Sequence, residues 1–268
     1  LEGKNLAPEP IYFSKDFDSD DNMSCLITTF EHGLPQARGS VLRSHILIAK
    51  YLSDLHKGDT ENNSELGDLE SYKSTLFEID NYEKYLPKED FDSLNESSDK
   101  FKNHLSIVAI LKQAIEKDLE NITIETPVLC HMDIKKTRIL RRDYMLKFIN
   151  FHDSIHSDHA LDLAFCIYNL EFSRSGAVQF QFIHNYFNYF FGVDVETDDE
   201  SLIKFIEKIS QYKALVAKLI LLKCLCMHFY YRVMYSATKP IKYIDLMMSY
   251  EAIRPEIAEE LPEILSVC

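Results

Sequence analysis

Glycine is nearly missing from this chain, with seven in 268 residues. A Gly-rich loop cradles phosphate by bringing backbone N–H groups against the anion, and no such run occurs here. Cysteine is present but unpatterned. Cys25, Cys130, Cys166, Cys224, Cys226 and Cys268 include no Cys-x-x-Cys pair. That spacing argues against a zinc or disulfide framework and reads as reduced, mostly buried thiols of a cytoplasmic protein. Leu1-Glu-Gly-Lys-Asn5 lacks the apolar run of a secretory leader. The longest apolar stretch, 215–235, is interrupted by Lys218, Lys223, His228 and Arg232. Charges at that spacing are costly in a bilayer, so the expectation is a buried helix and no membrane partner. Positive charge is in deficit, with 29 Lys and Arg against 43 Asp and Glu and a net charge of −14. Such a chain repels nucleic acid unless a local basic patch intervenes.

What remains suits a globular protein of one large domain or two lobes, since 46% of residues are hydrophobic and 27% charged. Ile11–Phe13 reads as a short strand, 16–21 as an acidic turn and Ser24–Phe30 as a buried strand. Ser40 is the expected cap of a helix whose apolar face carries Leu42, Ile46, Ala49, Leu52 and Leu55 and which ends at His56. Residues 57–100 are polar and acidic, an insertion with short helical pieces, read as a solvated loop or as an acidic face for a cationic substrate. Phe101, Leu105, Val108, Leu111, Ile115 and Leu119 mark an amphipathic helix. Helices are expected over roughly 161–172, 175–191, 199–211, 213–237 and 240–252. The aromatic run His184–Phe191 has helical spacing and reads as packing rather than base stacking.

The densest chemical signal is Val128-Leu-Cys-His-Met-Asp-Ile-Lys-Lys-Thr-Arg-Ile-Leu140, followed by Leu146-Lys-Phe-Ile-Asn-Phe-His-Asp153. It reads as strand, loop, strand, turn and strand. This segment resembles the catalytic segment of the aminoglycoside phosphotransferase and choline kinase superfamily, in which a strand leads into His-x-Asp-x-x-x-x-Asn and a later strand ends in Ile-Asp-Phe. The helix ending Ile48-Ala-Lys-Tyr-Leu-Ser-Asp-Leu-His56 resembles that superfamily's Ala-x-x-Leu-x-x-Leu-His helix. The resemblance covers nearly the whole chain, with its strength in 128–164. It implies an α+β, protein-kinase-like fold, with a remnant small strand lobe and hinge over 1–35. A mainly helical C-terminal lobe then spans 36–268, with the insertion at 57–100 and a helical subdomain at 161–268.

The resemblance also implies roles. Asp133 takes the place of the catalytic base, or serves as a loop-stabilising carboxylate, and His131 steadies the loop. The backbone of Phe30, Glu31 and His32 faces an adenine if ATP binds. Asp158 and Asp162 are structural, Asp162 tying the catalytic loop to a helix N-terminus. The two metal-ligand positions are occupied by Arg138 and Asn150. A guanidinium has donors and no acceptor, and a neutral amide oxygen is a poor ligand for Mg²⁺. Arg138 has two readings: pairing with Asp133 as a fixed cation, or binding a phosphate or carboxylate ligand within the basic cluster Lys135, Lys136, Arg138, Arg141 and Arg142.

The superfamily's nucleotide-covering loop and phosphate-holding strand Lys have no counterpart ahead of Pro8. That lobe is read as removed, supplied by another chain, or never present. A second constellation, His152, Asp153, His156, Asp158 and His159, has the side chains of a transition-metal site or of a structural loop. Two functional expectations follow. One is a pseudokinase acting as a ligand-binding or scaffold module, with a protein partner on the helical lobe. The other is an active ATP- and Mg²⁺-dependent kinase acting on a hydroxyl of a small metabolite.

Overall fold

The computed structural model describes residues 7–8, 10–18, 23–29, 33–35, 44–58, 67–77, 99–124, 127–142, 145–151, 153–192 and 199–234. Phe30, Glu31, His32, Ser40, Leu42, His152 and the expected helix 240–252 lie outside these. The described elements are β1 (Pro10–Asp18), β2 (Met23–Thr28), β3 (Leu34–Pro35), α1 (His45–Gly58), β4 (Gly67–Asp68), α2 (Leu69–Phe77), α3 (Asp99–Glu120), β5 (Val128–Cys130), β6 (Ile139–Arg142), β7 (Met145–Phe148), β8 (Ile155–Ser157), α4 (His159–Asn169), α5 (Gly176–Phe191) and α6 (Asp199–Met234). Short 3₁₀ turns occupy Lys136–Arg138 and Phe172–Arg174.

Three small sheets hold the strands, in the orders β1-β2, β3-β6-β7 and β4-β8-β5. The hairpin β1–β2 is antiparallel, with Phe13 opposite Leu26. Its first strand runs on to Asp18, beyond the three residues expected, and takes in part of the acidic turn. In the second sheet Ile139 faces Phe148 and Arg142 faces Met145. Gly33 approaches that sheet closely. A Cβ on it would stand 3.0 Å from Leu140 Cβ and 3.3 Å from Arg141 O, so a side chain here would push against β6.

The insertion carries more order than a solvated loop. It contributes β4, which pairs in parallel with β8 at Gly67–Ile155, and helix α2. Asp68 starts that helix by accepting from Ser71 N–H at 2.8 Å. The stretch expected as loop after Asn150 contains strand β8. Ile155 and Ser157 are buried there while His156 is half-buried, and β8 is sandwiched between β4 and β5.

The core is formed by the helices against the β5–β8 segment. Helix α1 buries Ile48, Ala49, Leu52, Leu55 and His56. Ile46, expected on that face, is 43% exposed; the stripe is rotated by the fit of α1 against α5. Val108, Leu111 and Ile115 of α3 are buried. Helix α4 is buried along its length, from His159 to Tyr168. Helix α5 ends at Gly192, whose φ of 69° terminates it while its N–H donates to Asn188 O at 2.9 Å. The two helices expected over 199–211 and 213–237 are one continuous helix, α6. No glycine or proline interrupts 199–234, and Ile209, Tyr212, Leu215 and Val216 continue one buried face through the expected break. Among the described residues, no helix is long and apolar enough to cross a membrane.

Candidate functional site

The loop between β5 and the turn 136–138 is held from below by one carboxylate. Asp162, in the first turn of α4 and fully buried, accepts from His131 N–H at 2.8 Å through Oδ2 and from Met132 N–H at 2.9 Å through Oδ1. His56 of α1 donates to the same Oδ2 from Nε2 at 3.1 Å. Burial opposes ionisation of Asp162. The His56 bond, His131 and the backbone N–H groups outweigh it and hold the carboxyl below its ordinary pKa. Asp158 caps α4 by accepting from Ala160 N–H at 2.9 Å and pairs with Lys208 of α6 at 2.6 Å. Two carboxylates thus sit at one helix N-terminus, where the dipole favours anions.

With the loop anchored, two residues adopt left-handed backbone. Met132 has φ 64° and Asn150 φ 71°. An unbranched Met pays for that conformation in strain, which persists because Asp162 holds the N–H groups of His131 and Met132 and the His131 ring accepts from the following Asp133 N–H; Asn is among the residues that tolerate it. His131 is buried. Its Nε2–H donates to Ile149 O at 3.1 Å, and its Nδ1 accepts from Asp133 N–H at 3.3 Å. Burial pushes its pKa down against the opposing charges of Asp162 and Asp133. A neutral imidazole therefore braces the loop against the end of β7.

Asp133 is 4% exposed and faces cations on both oxygens. Lys135 Nζ stands 2.7 Å from Oδ1 and Arg138 Nε 3.4 Å from Oδ2. Burial raises the Asp133 pKa, but Lys135, Lys223 and Arg138 overcome it and leave the carboxyl below its ordinary value. Arg138 and Asn150 lie at adjacent strand ends, since Ile149 N–H donates to Arg138 O at 3.0 Å. Buried Arg138 Nε and Asn150 Nδ2 have no hydrogen-bond partner among the described residues.

Lys223, in the second half of α6, carried no motif and was not anticipated as part of the site. Its Nζ pairs with Asp153 Oδ2 at 3.3 Å. Burial lowers its pKa, but Tyr72, Asp153 and Asp133 together drive it above the ordinary lysine value. Burial likewise pushes Tyr72 up to about 12, with Lys223 opposing and Asp153 and Asp133 assisting. Tyr72 belongs to the insertion and Lys223 to the helical region, so no local signal could have joined them. Lys136 pairs instead with Glu171, and Arg174 approaches the same carboxylate at 3.3 Å.

The His/Asp constellation read as a metal site or a structural loop is dispersed among the described residues. Asp153 pairs with Lys223, His156 stands in β8, Asp158 caps α4, and His159 packs among Tyr186, Phe190, Phe191 and Phe205. The ligand-type atoms that do converge, within 4.8 Å, belong to His56, Cys130 and Asp162. Here Asp162 is already engaged by three donors, and burial raises the Cys130 thiol pKa well above its usual value. That donor set suits a hydrogen-bond core, not an ion. Tyr186 completes it by donating to His56 Nδ1 at 2.6 Å and accepting from His159 Nδ1 at 3.1 Å.

Buried His159 titrates far below an ordinary histidine, at about 4. Burial is the largest cause, with Asp158 opposing and His56 and Lys208 assisting. The folded state binds this proton less readily than the unfolded chain. Stability is therefore expected to fall as pH drops from about 6.5 to about 4, by on the order of 3 kcal/mol. Melting temperatures between pH 7.5 and 4.5 test this. His159→Gln keeps a donor for Tyr186 and removes the titration, so its profile should be flatter; an unchanged slope would assign the acid sensitivity elsewhere.

No family model matches the chain by sequence, and neither does any curated protein. Solved structures do match. An ethanolamine kinase of Plasmodium vivax is similar at 18% identity with a TM-score of 0.61, over 99% of this chain and 70% of that one. A choline kinase of Cryptosporidium parvum is 14% identical with a TM-score of 0.62, over 96% and 75%. Wild-type aminoglycoside 2′-phosphotransferase-IIIa, solved as its GDP complex, is 15% identical with a TM-score of 0.50, over 94% and 77%. The small strand sheets, the helical core and these likenesses lead to one conclusion: the chain has an α+β, kinase-like fold, the one shared by these solved choline, ethanolamine and aminoglycoside phosphotransferase structures.

Proposed function

We propose that this chain is a kinase-fold ligand-binding or scaffold module that has given up metal-assisted phosphoryl transfer. The observation that carries this reading is the double engagement of Asp133 by Lys135 and Arg138. Metal-assisted phosphoryl transfer needs a carboxylate free to orient the acceptor hydroxyl and anionic ligands for the bridging cation. Here Asp133 is neutralised by side chains of its own loop. Arg138 repels a cation, and Asn150 has at most one neutral oxygen to offer. Asp153, the nearest further carboxylate in sequence, is paired with Lys223. The residues present do not fit Mg²⁺, so no step is derived through it.

The test is calorimetric titration of ATP with and without Mg²⁺. The expected outcome is that Mg²⁺ leaves ATP binding unchanged or weakens it by competing for the phosphates. A second reading, an ATP-dependent kinase for a hydroxyl of a small metabolite, is favoured by the ionised state of Asp133 and by the kinases of similar fold. Tightening of ATP by about tenfold or more on adding Mg²⁺, about 1.4 kcal/mol, would replace the first reading with the second.

A further inference from the structure

We infer that Lys223 sets the charge preference of this site, and that its ligand is a small molecule whose carboxylate meets the Lys223 ammonium. The inference rests on the reading of the chain as a ligand-binding module, and it adds the class of ligand. Lys223 reaches the site from α6, far outside the motif that carries Asp133. An ammonium has three N–H donors. Asp153 Oδ2 accepts one of them at 3.3 Å, and no second acceptor for Nζ stands among the described residues. The Lys223 side chain is 30% exposed and that of Asp153 21%, so a ligand can reach the remaining donors from solvent.

The neighbours of Lys223 make it a charge filter. Tyr72, contributed by the insertion, is buried and packs edge-on against Phe165 with 6.3 Å between ring centroids. Burial keeps its phenol neutral, so it brings no charge to balance the ammonium. Lys135 and Arg138 engage Asp133, and Lys223 engages Asp153. Three cations thus face two carboxylates, an excess of one positive charge inside a protein of net charge −14. Lys136 and Lys218 leave that balance unchanged, because each is paired with a carboxylate of its own, Glu171 and Asp118. A ligand carboxylate restores neutrality, whereas a ligand ammonium raises the excess to two. Choline and ethanolamine, named for kinases of similar fold, are cationic alcohols. Lys223 stands against ligands of that sign.

The probes are glycolate, ethylene glycol and ethanolamine, which match in size and are an anion, a neutral molecule and a cation at neutral pH. Each is titrated into the full chain at constant ionic strength and followed by the amide resonances of Tyr72, Asp153 and Lys223. Glycolate is expected to bind about tenfold or more tighter than ethylene glycol, and ethanolamine weakest. Lys223→Met should bring glycolate down to the level of ethylene glycol, and Lys223→Arg should keep the preference. Lys204→Gln, which removes an exposed charge paired along its own helix with Glu200, should leave all three unchanged. The inference is overturned by glycolate binding no tighter than either other probe. It is equally overturned by a preference that survives in Lys223→Met, or by no glycolate shift at about 50 mM, roughly the weakest affinity of interest. If Lys223→Met does not fold, the wild-type order decides in the same sense. An acetylated, amidated glutamate stands in for a protein side chain, and its binding tighter than glycolate would overturn the small-molecule assignment. Magnesium dependence of ATP binding is a separate readout. If Mg²⁺ tightens ATP while glycolate keeps its Lys223-dependent preference, the proposed function fails and this assignment stands.

Discussion

Asp162→Ala is expected to cost this protein on the order of 3–5 kcal/mol, the range for removing one partner of a buried charged network. The carboxylate is fully buried and accepts from His131 N–H, Met132 N–H and His56 Nε2. Truncation leaves three buried donors unsatisfied and removes the anchor that keeps Met132 at φ 64°. For a chain of this size the melting temperature should fall by on the order of 10 °C. Asp162→Asn keeps one acceptor oxygen but turns an amide N–H₂ toward existing donors, so it should fall between wild type and Asp162→Ala. The effect also has a pH signature. A depressed folded-state pKa means that the contribution is present above the unfolded carboxyl pKa, near 4, and is lost as pH falls through the folded value below it. The gap between wild type and Asp162→Ala should therefore narrow in acid. A melting temperature that drops by less than about 3 °C, roughly 1 kcal/mol, would show that the loop is held by other contacts.

The double variant Arg138→Asn with Asn150→Asp is expected to change the sign of the site. Wild type has Lys135, Arg138 and Lys223 against Asp133 and Asp153. Removing one cation and adding one anion moves the balance from +1 to −1 and supplies an amide and a carboxylate oxygen to a hard divalent ion. Each unit charge about 4 Å away is worth on the order of 4 kcal/mol at an effective dielectric of 20, before desolvation opposes it. Binding of Mn²⁺, read by its paramagnetic effect on water relaxation, should appear in the double variant and be absent from wild type. If Mn²⁺ binds neither protein, Lys135 and Lys223 suffice to exclude a cation, whatever residues stand at 138 and 150.

Much of this arrangement was legible in the chain. The strands around His131 and Asp133 could be read from the local pattern of apolar and polar residues, while the significance of Arg138 and Asn150 came from the resemblance to a known motif. The helix ending at His56 could be read, but its buried face was misassigned at Ile46. A periodic pattern gives the existence of an apolar stripe, while the neighbouring helix decides which edge of it is covered. The insertion was harder. Its composition indicates solvation, yet Gly67–Asp68 joins β8 in parallel, and a two-residue bridge leaves no periodic trace. The polar Ser154–Asp158 stretch reads as loop or ligand cluster for the same reason, although strand pairing on both sides claims its residues 155–157.

The sequence by itself carried the motif whose resemblance implies the kinase-like α+β class, the position of Asp133 in its loop and the donor chemistry of Arg138 and Asn150. These are properties of residue type and near neighbours. Tertiary structure alone decided which charges meet. His56 reaches Asp162 across 106 residues, Lys223 reaches Asp153 across 70, and Tyr72 joins them from the insertion. Electrostatic partners are chosen by distance and burial, and both depend on how α1, α2, α4 and α6 pack. The same packing buries Arg138 Nε beside Asp133 and removes Asn150 Nδ2 from water.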